Sequence, residues 1–225
     1  MQPAALRSSI GPRFSTDFAF REKPPAGTLS TGIPEVDKLT GGIPRGAITE
    51  IYGSPSSGRT SLLVAVLAGA SAREECCALV DTAGAFDPQA AARGGVDLAR
   101  LVWIRCGGNA GHALKAADLL LAGGGFGVVA MDMGDTPPQE ARRIPLASWF
   151  RFRRAVEHTP TALIVIGIEP CISCASLCLE MRREGVCWSG VPGCSQLLRG
   201  VRLRVEARKP VRPAGAAFEA GALAG

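Results

Sequence analysis

The chain lacks any long apolar run. Runs such as Ala162 to Ile168 are far short of the ~20 residues that a membrane-spanning helix needs. Near the N-terminus there is no apolar stretch of about 7–15 residues followed by a small-residue cleavage site, so a soluble, cytoplasmic chain is expected. Histidine is scarce, with two residues, and lysine supplies only four of the 25 basic side chains. A GC-rich genome would give the same bias toward arginine. His112 and His158 fall in helical patterns far in sequence from the cysteines and read as surface or helix-end residues. There is no internal repeat. Eight cysteines without an export signal read as reduced thiols or metal ligands rather than a disulfide framework.

At 225 residues the chain is long enough for one substantial core. We expect an N-terminal arm over residues 1–27, one domain over 28–212 and a disordered Gly/Ala tail over 213–225. The net charge of +5 is unevenly placed, with 13 basic against 6 acidic residues from Gln139 to Pro213. That third is able to face a polyanion.

Short apolar strands alternate with helical periods. "GAITEIYG" reads as a strand, "SGRTSLLVAVLAGASA" as a helix, and "CCALVD", "LVWIRC" and "FGVVAMD" as further strands, with the helix "HALKAADLLLAGGG" before the last. The helix "PLASWFRFRRAVEH" precedes the buried strand "TALIVIGI", and "RGVRLRVEARKPV" alternates well enough for one or two edge strands. This order predicts an α/β fold with a mostly parallel central sheet flanked by helices and with edge antiparallel strands.

The segment between the first strand and its helix carries the clearest chemistry. Gly53, Ser54, Pro55, Ser56, Ser57, Gly58, Arg59, Thr60 and Ser61 follow the G-x-x-x-x-G-K-[ST] phosphate-loop spacing, with Arg59 where lysine belongs. In such a loop the backbone amides wrap phosphates, the lysine bridges them and the hydroxyl holds Mg²⁺. Arginine keeps the charge but is longer, planar and forked, so phosphate affinity is expected to fall and transition-state stabilisation to fall further. Asp132, ending "FGVVAMD", is placed either to support Mg²⁺ or to serve as a turn residue.

"TLSTGIPEVDKLTGGIPRGAITEIYGSPSSGRTSLL" followed by "ALVDTAGAFDPQAAARGGVDLARLVWIRC" resembles the core of the RecA recombinases. The likeness runs from about Thr28 to Asp132, weakens beyond it and returns in "LLRGVRLRVE". The overall pattern is most similar to the ImuA family, RecA-related accessory proteins of bacterial mutagenesis cassettes, which act beside a polymerase-like partner. The resemblance implies a RecA-like P-loop core, weak ATP binding with Mg²⁺, and a role in the SOS response and translesion synthesis. It also implies partners: RecA and the polymerase-like cassette protein, with single-stranded DNA as a further candidate and no membrane.

Departures from the RecA pattern fall on the chemistry. Ala83 stands where the resemblance implies a water-positioning glutamate, and Gly167 and Ile168 stand near the positions of a γ-phosphate sensor. These changes imply a pseudo-ATPase with no catalytic residues; the alternative is an active DNA-stimulated ATPase adapted to arginine in its loop.

Two other patterns have two readings each. "CISCASLC" sets Cys171, Cys174 and Cys178 at i, i+3 and i+7, with Cys187 and Cys194 downstream. Such thiols suit Zn²⁺ or an iron–sulfur cluster, yet the same spacing puts three small side chains on one helix face. Because only one pair has CxxC spacing, packing is expected. Trp149, Phe150 and Phe152, interleaved with Arg142, Arg143, Arg151, Arg153 and Arg154, suit stacking on single-stranded DNA, docking of another protein, or an amphipathic helix whose rings enter the core. In the arm, Phe14, Phe18 and Phe20 read as docking residues, within the chain or between chains.

Overall fold

A computed structural model describes residues 27–190, 196–211 and 215–221. Residues 1–26 of the expected arm over 1–27, with Phe14, Phe18 and Phe20, lie outside them. A two-stranded antiparallel ribbon, β1 (Thr28–Leu29) with β2 (Ile43–Pro44), brackets the short helix α1 (Pro34–Thr40). Asp37 ties this entry segment together by accepting hydrogen bonds from Ser30 Oγ at 2.6 Å and from the amide and hydroxyl of Thr31 at 2.8 and 2.9 Å.

The main sheet has eight strands. In chain order they are β3 (Ala47–Gly53), β4 (Cys77–Asp81), β5 (Leu101–Arg105), β6 (Val128–Asp132), β7 (Ala162–Gly167), β8 (Leu177–Ser189), β9 (Leu197–Lys209) and β10 (Ala216–Gly221). Their spatial order is β10-β9-β8-β3-β7-β6-β4-β5. The strands from β8 to β5 run parallel to their neighbours, and β9 and β10 add antiparallel pairings. The helices between them are α2 (Arg59–Ala72), α3 (Pro88–Arg93), α4 (Ala110–Gly123), α5 (Pro138–Ala141) and α6 (Leu146–Val156). The fold is thus the expected α/β core with a mostly parallel sheet flanked by helices.

Parallel strands covered on both faces read as continuous apolar runs, since both sets of alternate side chains are buried. Leu163 and Val165 of β7 join one core with Ala113 and Ala117 of α4 and Trp149 and Phe152 of α6. Ile164 and Ile166 join the opposite core with Leu62, Leu63, Val66 and Leu67 of α2. The aromatic–arginine helix therefore resolves toward its amphipathic reading at two of three rings: Trp149 and Phe152 are buried edge to face with centroids 5.9 Å apart, and Phe150 is exposed. Arg151 lies over Phe152 at 5.7 Å and binds Asp118 at 2.8 Å.

Three expectations are corrected. The cysteine segment is a turn running into β8, so Cys171, Cys174 and Cys178 share no helix face. The chain here is drawn onto β3 instead: Glu50 accepts the amides of Cys171 and Ile172, the Ser176 amide donates to the Ile48 carbonyl, and from Leu177 the chain pairs in parallel with β3. The stretch expected to be edge strands is one internal strand, β9, hydrogen-bonded to β8 and β10. The expected tail, finally, forms β10 over Ala216–Gly221, because β9 offers an open row of backbone groups and Phe218 packs opposite Leu203.

Candidate nucleotide-binding site

The parallel register brings chemically useful strand ends to one rim. Tyr52 is level with Gly167, Gly53 with Met181, and Asp81 with Asp132, which is in turn level with Ile166. In open α/β sheets this carboxyl edge is where ligands bind. The loop from Gly53 to Gly58 rises from it and turns into α2.

Glycine is required at both ends of that loop. A Cβ on Gly53 would come within 2.3 Å of the Met181 carbonyl and 2.6 Å of Ser57 Oγ. At Gly58, φ is +87° and a Cβ would lie 2.2 Å from Leu203 Cδ1. Gly58 is also the residue before α2 and offers no side chain to cap it. The first helical bond is from the Leu62 amide to the Gly58 carbonyl, at 3.0 Å. The amides of Arg59, Thr60 and Ser61 precede it and have no acceptor among the described residues, as helix starts leave them. Ser57 is fully buried, and its Oγ has no hydrogen-bond partner among the described residues. Ser54, Pro55, Ser56, Thr60 and Ser61 are exposed.

Arg59 does not reach outward. Its side chain turns back across the rim, where Nη1 donates to the Gly167 carbonyl at 2.5 Å and both Nη atoms donate to the Gly134 carbonyl at 3.4 Å. It is 8% exposed and has no ion pair within 4.0 Å among the described residues. Burial pulls its pKa below the ordinary value, against the opposing fields of Asp132 and Asp135. Asp132 is half-buried, and its Oδ1 accepts the Gly134 amide at 2.8 Å. Burial raises its pKa, although the Gly134 hydrogen bond and the Arg59 charge work in the other direction. The turn role expected for Asp132 is thus realised through that amide.

Asp81 is a structural acid. Buried at 1%, it gathers the amides of Gly84, Ala85 and Phe86 at 2.8, 3.1 and 3.1 Å and Trp103 Nε1 at 3.1 Å. Ala83 is exposed on the loop so held and has no group able to orient water. Hollows lie on either side of the loop from Gly53 to Gly58. One, of about 270 Å³, lies between Ser56–Ser61 and the residues Leu198, Val201 and Leu203 of β9. The other, of about 510 Å³, lies between Tyr52–Pro55 and the segments bearing Glu169 and Glu180.

Uncapped amides, an orphan hydroxyl and a buried cation fit a phosphate group. A divalent cation fits poorly, because Asp132 has committed one oxygen to Gly134 and the Arg59 guanidinium already stands within reach of its charge. Among the described residues no group of three or more His, Cys, Asp or Glu side chains is arranged to hold a metal.

Sequence reasoning passed over Glu50. It is 1% exposed in the middle of the sheet, and it accepts the amides of Cys171 and Ile172 at 2.6 and 3.1 Å and the Cys178 thiol at 3.1 Å. Burial, then the Glu50 charge, pushes the Cys171 thiol up to about 12 and Cys178 higher. Such thiols are poor metal ligands, as only the thiolate binds metal well. His112 and His158 are exposed, as expected.

Comparison with known proteins matches the RecA N-terminal domain to residues 19–140. The chain is 34% identical to Protein RecA of Rhizobium leguminosarum bv. viciae over 156 residues, covering 62% of this chain and 44% of that protein. It is 34% identical to Protein RecA of Deinococcus radiodurans over 155 residues, covering 62% and 42%. Against Protein RecA of Aquifex aeolicus the identity is 33% over 162 residues, covering 65% and 47%. The chain therefore spans less than half the length of these relatives.

Proposed function

Because the chain belongs to the RecA N-terminal domain family, we propose that it works in DNA repair as an accessory protein that keeps the phosphate loop but does not hydrolyse ATP. The observation that carries this reading is the course of Arg59. Its guanidinium donates to the carbonyls of Gly134 and Gly167, which leaves only the Nε–H and one Nη2 hydrogen for a phosphate. Ala83 adds the second loss, a position on the rim with no carboxylate to align a water. Removing one preorganised electrostatic donor typically costs about 2–4 kcal/mol of barrier, so two or three such losses leave turnover near background.

Within that function the finer reading is an ImuA-type adaptor for translesion synthesis, recruited during the DNA-damage response. Its partners would be RecA and a polymerase-like cassette protein, with single-stranded DNA contacted directly or through them. Exposed arginines support a polyanion contact: Arg142, Arg143, Arg153 and Arg154 on and before α6, and Arg183 and Arg199 on the β8–β9 pair. Weak nucleotide binding through the loop amides completes the proposal.

The test is a phosphate-release assay on the protein and on Arg59→Lys, with MgATP and with or without single-stranded DNA. Background rates in both are expected, since restoring the ammonium leaves Ala83 in place. Robust DNA-stimulated turnover that Thr60→Ala abolishes would overturn the reading in favour of an arginine-loop ATPase. Pull-downs should recover RecA or the polymerase-like protein. Tight, salt-sensitive DNA binding with neither partner retained would instead favour a direct DNA-binding role.

A further inference from the structure

Building on that reading of the loop, we propose that it binds a polyphosphate chain, as a nucleotide tail or an inorganic polyphosphate, without a divalent cation, the Arg59 guanidinium supplying the positive charge. Three independent features lie on the loop and on the rim beside it. The guanidinium is buried with no carboxylate in contact among the described residues, and its hydrogen bonds to Gly134 and Gly167 leave the Nε–H and one Nη2 hydrogen unspent. A buried cation in that state is costly, and an arriving anion relieves it. Ser57 Oγ is a buried donor with no partner among the described residues, set inside the loop against Gly53. The third feature is the row of amides at Arg59, Thr60 and Ser61, at the positive end of a 14-residue helix.

The same geometry disfavours Mg²⁺. The Asp132 carboxylate is engaged by the Gly134 amide and by the field of Arg59, and a second cation beside the guanidinium would be repelled. A planar, forked guanidinium binds phosphate oxygens two at a time. Arginine is thus suited to replace an ion as well as a lysine. The substitution at position 59, read only as a loss for catalysis, becomes a gain of cation independence for binding.

Equilibrium titration of the full chain with inorganic tripolyphosphate and with ATP, each in EDTA and in excess Mg²⁺, tests this. Both ligands are expected to bind in EDTA at least as tightly as in Mg²⁺. Arg59→Ala should weaken binding about ten- to a hundredfold in both buffers, the size of losing charge-assisted hydrogen bonds. Arg59→Lys should be weak in EDTA and recover with Mg²⁺, because its compact ammonium no longer occupies the ion's place. Ser57→Ala, which keeps the loop backbone, should weaken binding without changing the response to Mg²⁺. If Arg59→Ala fails to fold, this variant and the parent's comparison in the two buffers decide. Binding that collapses in EDTA, or that Arg59→Ala leaves unchanged, overturns the proposal. So does an absence of binding in either buffer, which leaves the lack of hydrolysis standing. Equal affinity for the two ligands supports the phosphate chain as the recognised group, and tighter ATP binding supports a nucleotide.

Discussion

Replacing Glu50 with alanine is expected to destabilise the protein by about 2–4 kcal/mol. The carboxylate is 1% exposed and satisfies the amides of Cys171 and Ile172, and the Cys178 thiol donates to its other oxygen. A buried N–H left without an acceptor costs about 1–3 kcal/mol. Cys171 is half-buried, so water can reach its amide, whereas Ile172 is 4% exposed and its amide stays dry. Those two facts place the sum in the lower part of the doubled range. Glu50→Gln keeps the volume and one acceptor but sets an amino group against a donor, for a loss of about 1–2 kcal/mol. Urea unfolding gives the energies, and alkylation of the native protein near neutral pH gives the local consequence. With its pKa at about 12, Cys171 should resist alkylation in the parent, while the exposed Cys76 reacts. In Glu50→Ala the turn loses its anchor, and Cys171, Cys174 and Cys178 should become reactive. An alanine variant within about 0.5 kcal/mol of the parent, with the same alkylation pattern, would refute the role assigned to this acid.

The remaining predictions concern stability and metal. Burial alone would raise the Glu75 pKa, but hydrogen bonds from Arg45 and then Arg73 hold it below the usual carboxylate value. A depressed folded pKa means stability that is present above the unfolded value of about 4.3 and lost as pH falls through the folded one. Glu75→Gln should therefore cost about 1–3 kcal/mol near neutral pH, a gap that closes in acid; a gap in urea midpoints that persists in strong acid would contradict it. Leu203→Ala, at a 1% exposed side chain packed against Gly58, should cost about 2–5 kcal/mol by chemical denaturation. Cys174→Ala should cost about 1–3 kcal/mol without releasing metal, and stoichiometric zinc or iron in protein purified without chelator would count against the packing reading.

Local pattern was enough to read the five strands and the helices α2, α4 and α6 between Ala47 and Gly167, because buried parallel strands and amphipathic helices write their periods into adjacent residues, whereas the short α3 and α5 were not read. It failed where partners are distant in sequence. Cys171, Cys174 and Cys178 have helical spacing, but the segment is drawn to β3, with the Cys171 amide on Glu50, 121 residues away, and the Ser176 amide on Ile48. Glu50 itself sits in an alternating strand where an acid suggests a solvent-facing position, and only the turn packed over it makes it buried. The charged outer half of β8 gave no apolar signal, because it is stabilised by pairing with β9 and by ion pairs such as Arg204 with Glu184. The Ala/Gly-rich β10 is recruited by backbone bonds that any sequence can make. At the site, the loop was plain from spacing, whereas the return of Arg59 to Gly134 and Gly167 depends on two other strand ends.

The central claim is that the loop holds phosphate and leaves it intact. Its most direct test is the fate of nucleotide on the protein: incubate the full chain with MgATP and single-stranded DNA, separate the bound fraction and identify it. The expected result is ATP recovered unchanged from the parent and from Arg59→Lys. Conversion of bound ATP to ADP and phosphate, at a rate well above background and abolished in Thr60→Ala, would contradict it.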